Sequence, residues 1–390
     1  MKIILNLFSS LRLTVVLLTL SLLLVFFGTL DQVYWGINKA QKLYFESFFV
    51  VWPYRPEGYS LRLLGVPLPG GYLLGGLLVI NLCVAHLRYY RKSWRKVGIS
   101  LIHGGLVLLI VSGFAVSFMQ QESRMWLKEG EITRYTEDFE DNELVLINRS
   151  HPGHDEVISI PISFIKGGQP VAIPDSNLSV VAREFYPNAN IGRIADNPGV
   201  RPTSATDGVG PGMGLAVFPM PVTYEPDKVN TVTAVVEVYE AGQRRGSWLV
   251  SNLFDERFAP QMIATAEGDF EIALRFRRYY LPYAFYLNEF RHDRYPGTDI
   301  PRNFSSRITI LDENDAPMRQ VLIYMNHPLR YEGLTFYQAS FAEDDTASML
   351  QVVRNPSWLL PYIAVAIMSL GLFWQFLAHL IAYTRRKPAS

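Results

Sequence analysis

One histidine stands where a lipid bilayer would make its charge costly. Residues 99–118, ISLIHGGLVLLIVSGFAVSF, form an almost uncharged apolar run with His103 near its start. A run of about 20 apolar residues can cross the hydrocarbon core as a helix. An ionisable side chain inside such a span is expensive and marks a functional site by default. Imidazole is also the commonest protein ligand for metals, the iron of a macrocycle included. The residue types therefore point to a membrane protein that handles a metal or a metal-bearing macrocycle.

Two more histidines border apolar runs. His86 ends the run 71–87, and His379 lies within the last two turns of the run 358–383. Both are low-ranking ligand candidates beside His103. His86 abuts a basic loop and reads first as an interfacial residue, and His379 as one that snorkels to the headgroups. Gly104, Gly105 and Gly113 follow His103. Small residues admit either a flat macrocycle or a neighbouring helix. A single axial histidine is half of a bis-histidine haem site, so a partner membrane protein is a ready source of the other half.

No other segment carries a catalytic pattern, and no catalytic residue is assigned. His151-Pro-Gly-His154 is loosely spaced and turn-like, with no adjacent cluster of acidic residues and cysteines, and reads as a solvated loop. Gly-x-Ser-x-Gly, Walker and HExxH signatures are absent from the sequence. Cys83 is the single cysteine, which excludes an intrachain disulfide and CxxC chemistry. The formal net charge is zero, which argues against a general nucleic-acid binder.

Four long apolar runs must position these residues: 13–30, 71–87, 99–118 and 358–383. The first reads as an uncleaved anchor, since it is long for a signal-peptide core and no A-x-A-like site follows it. Lys and Arg mark the cytoplasmic side of short loops. Lys2 and Arg12 precede the first run, and Arg88, Arg91, Lys92, Arg95 and Lys96 join the second and third. Arg385, Arg386 and Lys387 follow the fourth. With all three clusters inside, the spans alternate without contradiction. Both termini are then cytoplasmic, the loop 31–70 and the region 120–356 are outside, and all three membrane histidines lie towards the inner leaflet. His103 is then about 7 Å deep at helical rise.

The chain divides into a membrane domain, 1–119, a β-rich outer domain, 120–356, and a last helix with a basic tail, 357–390. Residues 43–52 are aromatic and too short to span, which fits an interfacial segment. The outer domain repeats short Val/Ile/Leu/Phe/Tyr-rich alternations at 143–147, 156–165, 178–185, 233–240, 270–276, 307–312, 319–326, 334–341 and 349–354. Such strands predict an antiparallel sandwich or a pair of sheets. Residues 186–232, rich in Gly and Pro, read as a long loop or lid between two β subdomains. The fold class is thus an α-helical membrane protein with four transmembrane helices and a large extracytoplasmic all-β, sandwich-like domain.

Several stretches resemble the ResB (CcsB) family. They are Leu5-Asn-Leu-Phe-Ser-Ser-Leu-Arg-Leu13, the run ending Gly28-Thr29-Leu30 with Gln32, and the third span from His103 to Gly113. The strongest lie near the end: Tyr295 to Ser306, Met325 to Gly333, and Phe336-Tyr-Gln338. The resemblance covers both ends and the spacing between them, and is weakest over 186–232. It implies system II cytochrome c maturation, in which a ResB-type protein works with CcsA (ResC), a tryptophan-rich multi-span protein. Together they carry haem across the cytoplasmic (inner) membrane to the CxxCH cysteines of apocytochrome c. A thiol-reducing, ResA/CcsX-like thioredoxin is a further implied partner. The family's transmembrane haem histidine maps onto His103, with its fellow ligand in CcsA. At most the chain is then a non-catalytic or shared subunit of a haem lyase. The rival reading is a membrane-anchored β-sandwich scaffold or sensor without haem.

Overall fold

The computed structural model describes residues 2–52, 65–89, 93–150, 154–196, 201–225, 228–254, 257–266, 268–298, 301–342 and 346–384. His151, Pro53, Pro56, Arg91, Lys92 and the basic residues at 385–387 lie outside them. Two compact units emerge. One comprises Met1–Gln121, Tyr224–Pro226 and Arg354–Ser390, the other Glu122–Thr223 and Asp227–Val353.

The first unit opens with helices α1 (Lys2–Phe8), α2 (Leu11–Tyr44), α3 (Gly71–Tyr89) and α4 (Val97–Met119). The second holds two single-turn helices, α5 (Ile162–Ile165) and α6 (Val209–Gly212), and α7 (Leu360–Thr384) returns to the first. Among the described residues, α2, α3, α4 and α7 are long and apolar enough to cross a membrane. They coincide with the four apolar runs.

Polar side chains fix the helix ends. Asn81, only 2% exposed in the middle of α3, donates from Nδ2 to the carbonyls of Phe8 (2.7 Å) and Ser10 (3.3 Å). Its Oδ1 accepts from Thr14 Oγ1 at 2.6 Å. Arg88 Nη1 donates to Ser9 Oγ at 2.8 Å. The break between α1 and α2 frees backbone carbonyls that hydrocarbon cannot satisfy, and Asn81 satisfies them.

α2 runs well past the predicted span 13–30 because it contains a reversal. Gly36 adopts φ +66°, ψ 168° inside the helix, a conformation that suits glycine. Along a straight helix Asp31 and Tyr44 would be about 20 Å apart. Here Tyr44 Oη donates to Asp31 Oδ2 at 2.6 Å. The Tyr44 ring lies on Gly28, where a Cβ would stand 3.3 Å from its Cγ. The predicted interfacial segment continues into a strand, Phe49–Trp52, paired antiparallel with Val66–Pro69.

In the second unit, two strands longer than any predicted alternation organise the sheet. Ile132–Asn148 and Gly268–Arg294 pair antiparallel, with register shifts between Phe276 and Arg278 and between Tyr280 and Phe285. Shifts of this kind bend a strand and re-aim its side chains. The longer strand therefore runs from one hydrophobic core into a second. The first core joins Leu144, Leu146, Phe270, Ile272 and Leu274 to Val180, Val236, Val238 and Val250 of a four-stranded sheet. The second collects Met125, Leu127, Phe285, Leu287, Ile308, Ile310, Phe336 and Leu350.

Two expectations change. The predicted strand 156–165 stops at Pro161, where a φ of −55° and a missing N–H start the single turn α5. Residues 186–232 are not a structureless lid between subdomains. Ala189–Arg193 pairs with Leu215–Pro219, and Ala205 and Leu215 pack with Val235, Leu249 and Phe254 in a small core. Long shared strands, not this segment, connect the two β lobes.

Candidate functional site: an intramembrane histidine pair

α3 and α4 pack antiparallel in one register along their length. At one end Tyr72 Oη lies 3.0 Å from Ser117 Oγ, and the Tyr72 ring stacks on Phe118. One turn on, Gly75 gives way to Phe114, whose ring atoms would lie 3.2 Å from a Cβ there. At the other end the same register brings His86 against His103. Their Nδ1 atoms are 3.3 Å apart, with ring centroids at 5.4 Å and planes at 84°. Both side chains are half-buried.

The opposite side of α4 packs on α7 through small residues. Gly98, Gly105 and Ser112 are the buried positions of α4, and Ala364, Gly371 and Ala378 those of α7. Each set repeats every seven residues, the spacing of a helix–helix seam. A Cβ on Gly98 would lie 2.6 Å from the Gly371 carbonyl oxygen, and one on Gly105 would lie 2.5 Å from Met368 Cγ. Gly104 and Gly113 would meet nothing within 4 Å. Of the three glycines after His103, Gly105 serves helix packing, Gly104 leaves open surface beside the histidine, and Gly113 does so about 15 Å further along α4.

The structure thus brings together two of the three predicted membrane histidines. His379 does not join them: it is exposed on α7, with Nε2 3.2 Å from Gln375 Nε2. Nearby, Trp374 Nε1 donates to the Trp94 carbonyl at 2.8 Å. His154 is exposed. Sequence reasoning missed Asn81 and Asp31 as structural polar residues. It also missed the seven-residue spacing of small residues in α4 and α7, a signal that was present in the chain.

Two imidazoles are too few for a closed zinc site, which takes four protein ligands. The residues present would suit a metal held mainly by a macrocycle, to which one of the two histidines would supply an imidazole nitrogen. The arrangement admits one hydrogen bond between the rings, in which one Nδ1–H donates and the other Nδ1 accepts.

The architecture is that of a membrane-embedded protein carrying a large β domain. Residues 244–349 match the ResB-like family. Protein NrfI of Wolinella succinogenes is 31% identical over 97 residues, 25% of this chain and 11% of that protein. The cytochrome c biogenesis protein CcsB of Picosynechococcus is 34% identical over 80 residues, 20% of this chain and 17% of that one. A CcsB of Synechococcus is 31% identical over 133 residues, 34% and 26% of the two chains. These matches span between 11% and 26% of the relatives' own lengths.

The matched segment lies in the β domain and contains neither His86 nor His103. Its family-like residues have structural work. Glu332 and Gly333, at φ +46° and +76°, form a two-residue hairpin turn between Leu329–Tyr331 and Leu334–Phe341. Ser306 Oγ donates to Gln338 Oε1 (2.6 Å), Gln338 Nε2 donates to Ser348 Oγ (2.9 Å), and the two hydroxyls are 2.7 Å apart. This closed polar ring ties three strands together inside the second core.

Proposed function

We propose that this chain is a subunit of a cytochrome c maturation complex and that His103 ligates haem in transit across the cytoplasmic membrane. The reading is supported by the names of the relatives and by one observation above all: two imidazoles meet between apolar helices, beside open glycine surface. In the topology set by the basic clusters, the pair faces the cytoplasmic leaflet, where haem made in the cytoplasm is loaded. The β domain is then extracytoplasmic. A CcsA/ResC-like, tryptophan-rich membrane protein supplies the remaining iron ligand and the outward site. Apocytochrome c receives the haem at its CxxCH cysteines, kept reduced by a ResA/CcsX-like thioredoxin. The chain offers no nucleophile and acts as a non-catalytic or shared subunit.

His103→Ala is expected to abolish holocytochrome c while the protein stays in the membrane. Full haem staining of cytochromes in that variant would refute the assignment. The rival reading, a scaffold or sensor without haem, draws on His86, which already satisfies His103 within the helix pair. Co-purification with the multi-span partner separates the two readings. A Soret band that His103→Gly weakens and added imidazole restores supports haem, and a colourless complex supports the scaffold.

A further inference from the structure

We infer that His86 is the positioning residue of this site: its Nδ1 accepts a hydrogen bond from His103 Nδ1–H, leaving His103 Nε2 as the iron-ligating atom. The inference rests on the haem reading above and assigns unequal roles to two residues that the sequence left as parallel ligand candidates.

The distance decides against the two Nδ1 atoms as opposite axial ligands of one haem iron. Two imidazole nitrogens on opposite sides of one metal need about 4 Å between them, given bonds of about 2 Å each. The observed Nδ1···Nδ1 distance is 3.3 Å, which accommodates a proton and is too short for an iron held by these two nitrogens on its opposite faces.

The tautomers decide the direction. If His86 donated, His103 would be protonated on Nε2, and neither of its nitrogens would offer a free lone pair. If His103 donates, its Nε2 lone pair is free and its ring is held at a fixed angle. Metal-bound histidines are commonly oriented in this way by an acceptor on the other nitrogen, which also raises the ligand's basicity. The surroundings agree. The Tyr72–Ser117 and Gly75–Phe114 contacts lock the register of α3 against α4, so His86 is presented from a rigid element. Gly104, open within 4 Å, leaves space next to the His103 backbone, and small residues allow close approach of a flat ligand.

The test is titration of the full-length chain in detergent with ferric haem, followed by Soret spectroscopy and reductive titration. His103→Gly should lose the histidine-ligated band, and added imidazole should restore it. His86→Leu should keep the band, weaken haem binding about 10–100-fold, and raise the midpoint potential, because a less basic ligand stabilises ferric iron less. His86→Asn, whose Oδ1 lies near the position of the histidine Nδ1, should restore both. His86→Gln, whose acceptor is one bond further out, should not. The Asn and Gln pair still decides the matter if the leucine variant misfolds. Two results would overturn the inference: His86→Leu behaving as wild type, or losing the band and regaining it with imidazole, which would make His86 a ligand. A His103→Gly chain that keeps its band would instead overturn the haem site itself, whatever His86 does.

Discussion

Replacing Glu143 by alanine should destabilise the β domain more than any change at its surface. Glu143 and Arg275 face each other across the two long strands, and each side chain is 4% exposed. Arg275 Nε lies 3.0 Å from Glu143 Oε1, and Ser159 Oγ donates to Oε2 at 2.5 Å. Arg275 Nη2 lies 3.1 Å from Tyr280 Oη. Removing the carboxylate leaves a guanidinium in a place water does not reach. Breaking a buried pair in this way costs about 3–5 kcal/mol. For a domain of this size, each kcal/mol is worth about 2–4 °C in Tm, so the expected loss is roughly 6–20 °C. Glu143→Gln keeps acceptor geometry at Oε1 and should cost less. Glu143→Leu combined with Arg275→Met removes both charges and should recover much of the loss. Thermal unfolding of the full chain in detergent, followed by near-UV circular dichroism, measures all three. A Glu143→Ala chain that melts within 3 °C of wild type would refute the reasoning. It would mean that water enters beside Arg275, or that the strand bend next to it relaxes freely.

Two further outcomes test other parts of the structure. Gly105→Leu should push α4 from α7 and cost about 1–3 kcal/mol or more through overpacking, whereas Gly104→Leu, with nothing within 4 Å of its Cβ, should leave Tm unchanged; equal losses would dismiss the small-residue seam. Glu237 should control the acid side of β-domain stability. Burial pushes its carboxyl up, but hydrogen bonds from Tyr239 and Arg183 and the charges of Arg183 and Arg244 outweigh this and hold it below its ordinary value. The unfolded chain then binds the proton more readily, so stability is full above about pH 4.3 and falls as pH drops through the folded value. A Glu237→Gln chain should show a shallower loss of Tm on acidification from pH about 5 to 3, and an unchanged acid limb would exclude this role.

The parts of the fold with a single dominant period were legible in the sequence. Uninterrupted apolar runs gave all four long helices, and alternation located strands 233–240 and 334–341 to the residue. Bends were not legible. Gly36 reverses α2 because Tyr44 must reach Asp31, a contact over 13 positions that no local pattern encodes. The 27-residue strand Gly268–Arg294 was seen only as 270–276, because its burial pattern changes phase where the register shifts. Hydrophobic periodicity reports which face is buried, and a strand that changes partners midway has no constant face.

The site was legible in its members but not in their relation. His103 stood out because charge is rare in hydrocarbon, and that argument concerns one residue at a time. His86 lies 17 positions earlier at the end of another helix, and its meaning depends on the register between α3 and α4. That register is set far from the histidines, by Gly75 accepting the Phe114 ring and by Tyr72 meeting Ser117. Helices packed antiparallel keep their register over several turns, so a contact at one end fixes the pairing at the other. The 3.3 Å approach of the two imidazoles is therefore a consequence of packing at the other end of the helix pair. A bulky residue at position 75 should displace His86 from His103 without touching either, and this makes the pair a property of the helix bundle, not of its two histidines alone.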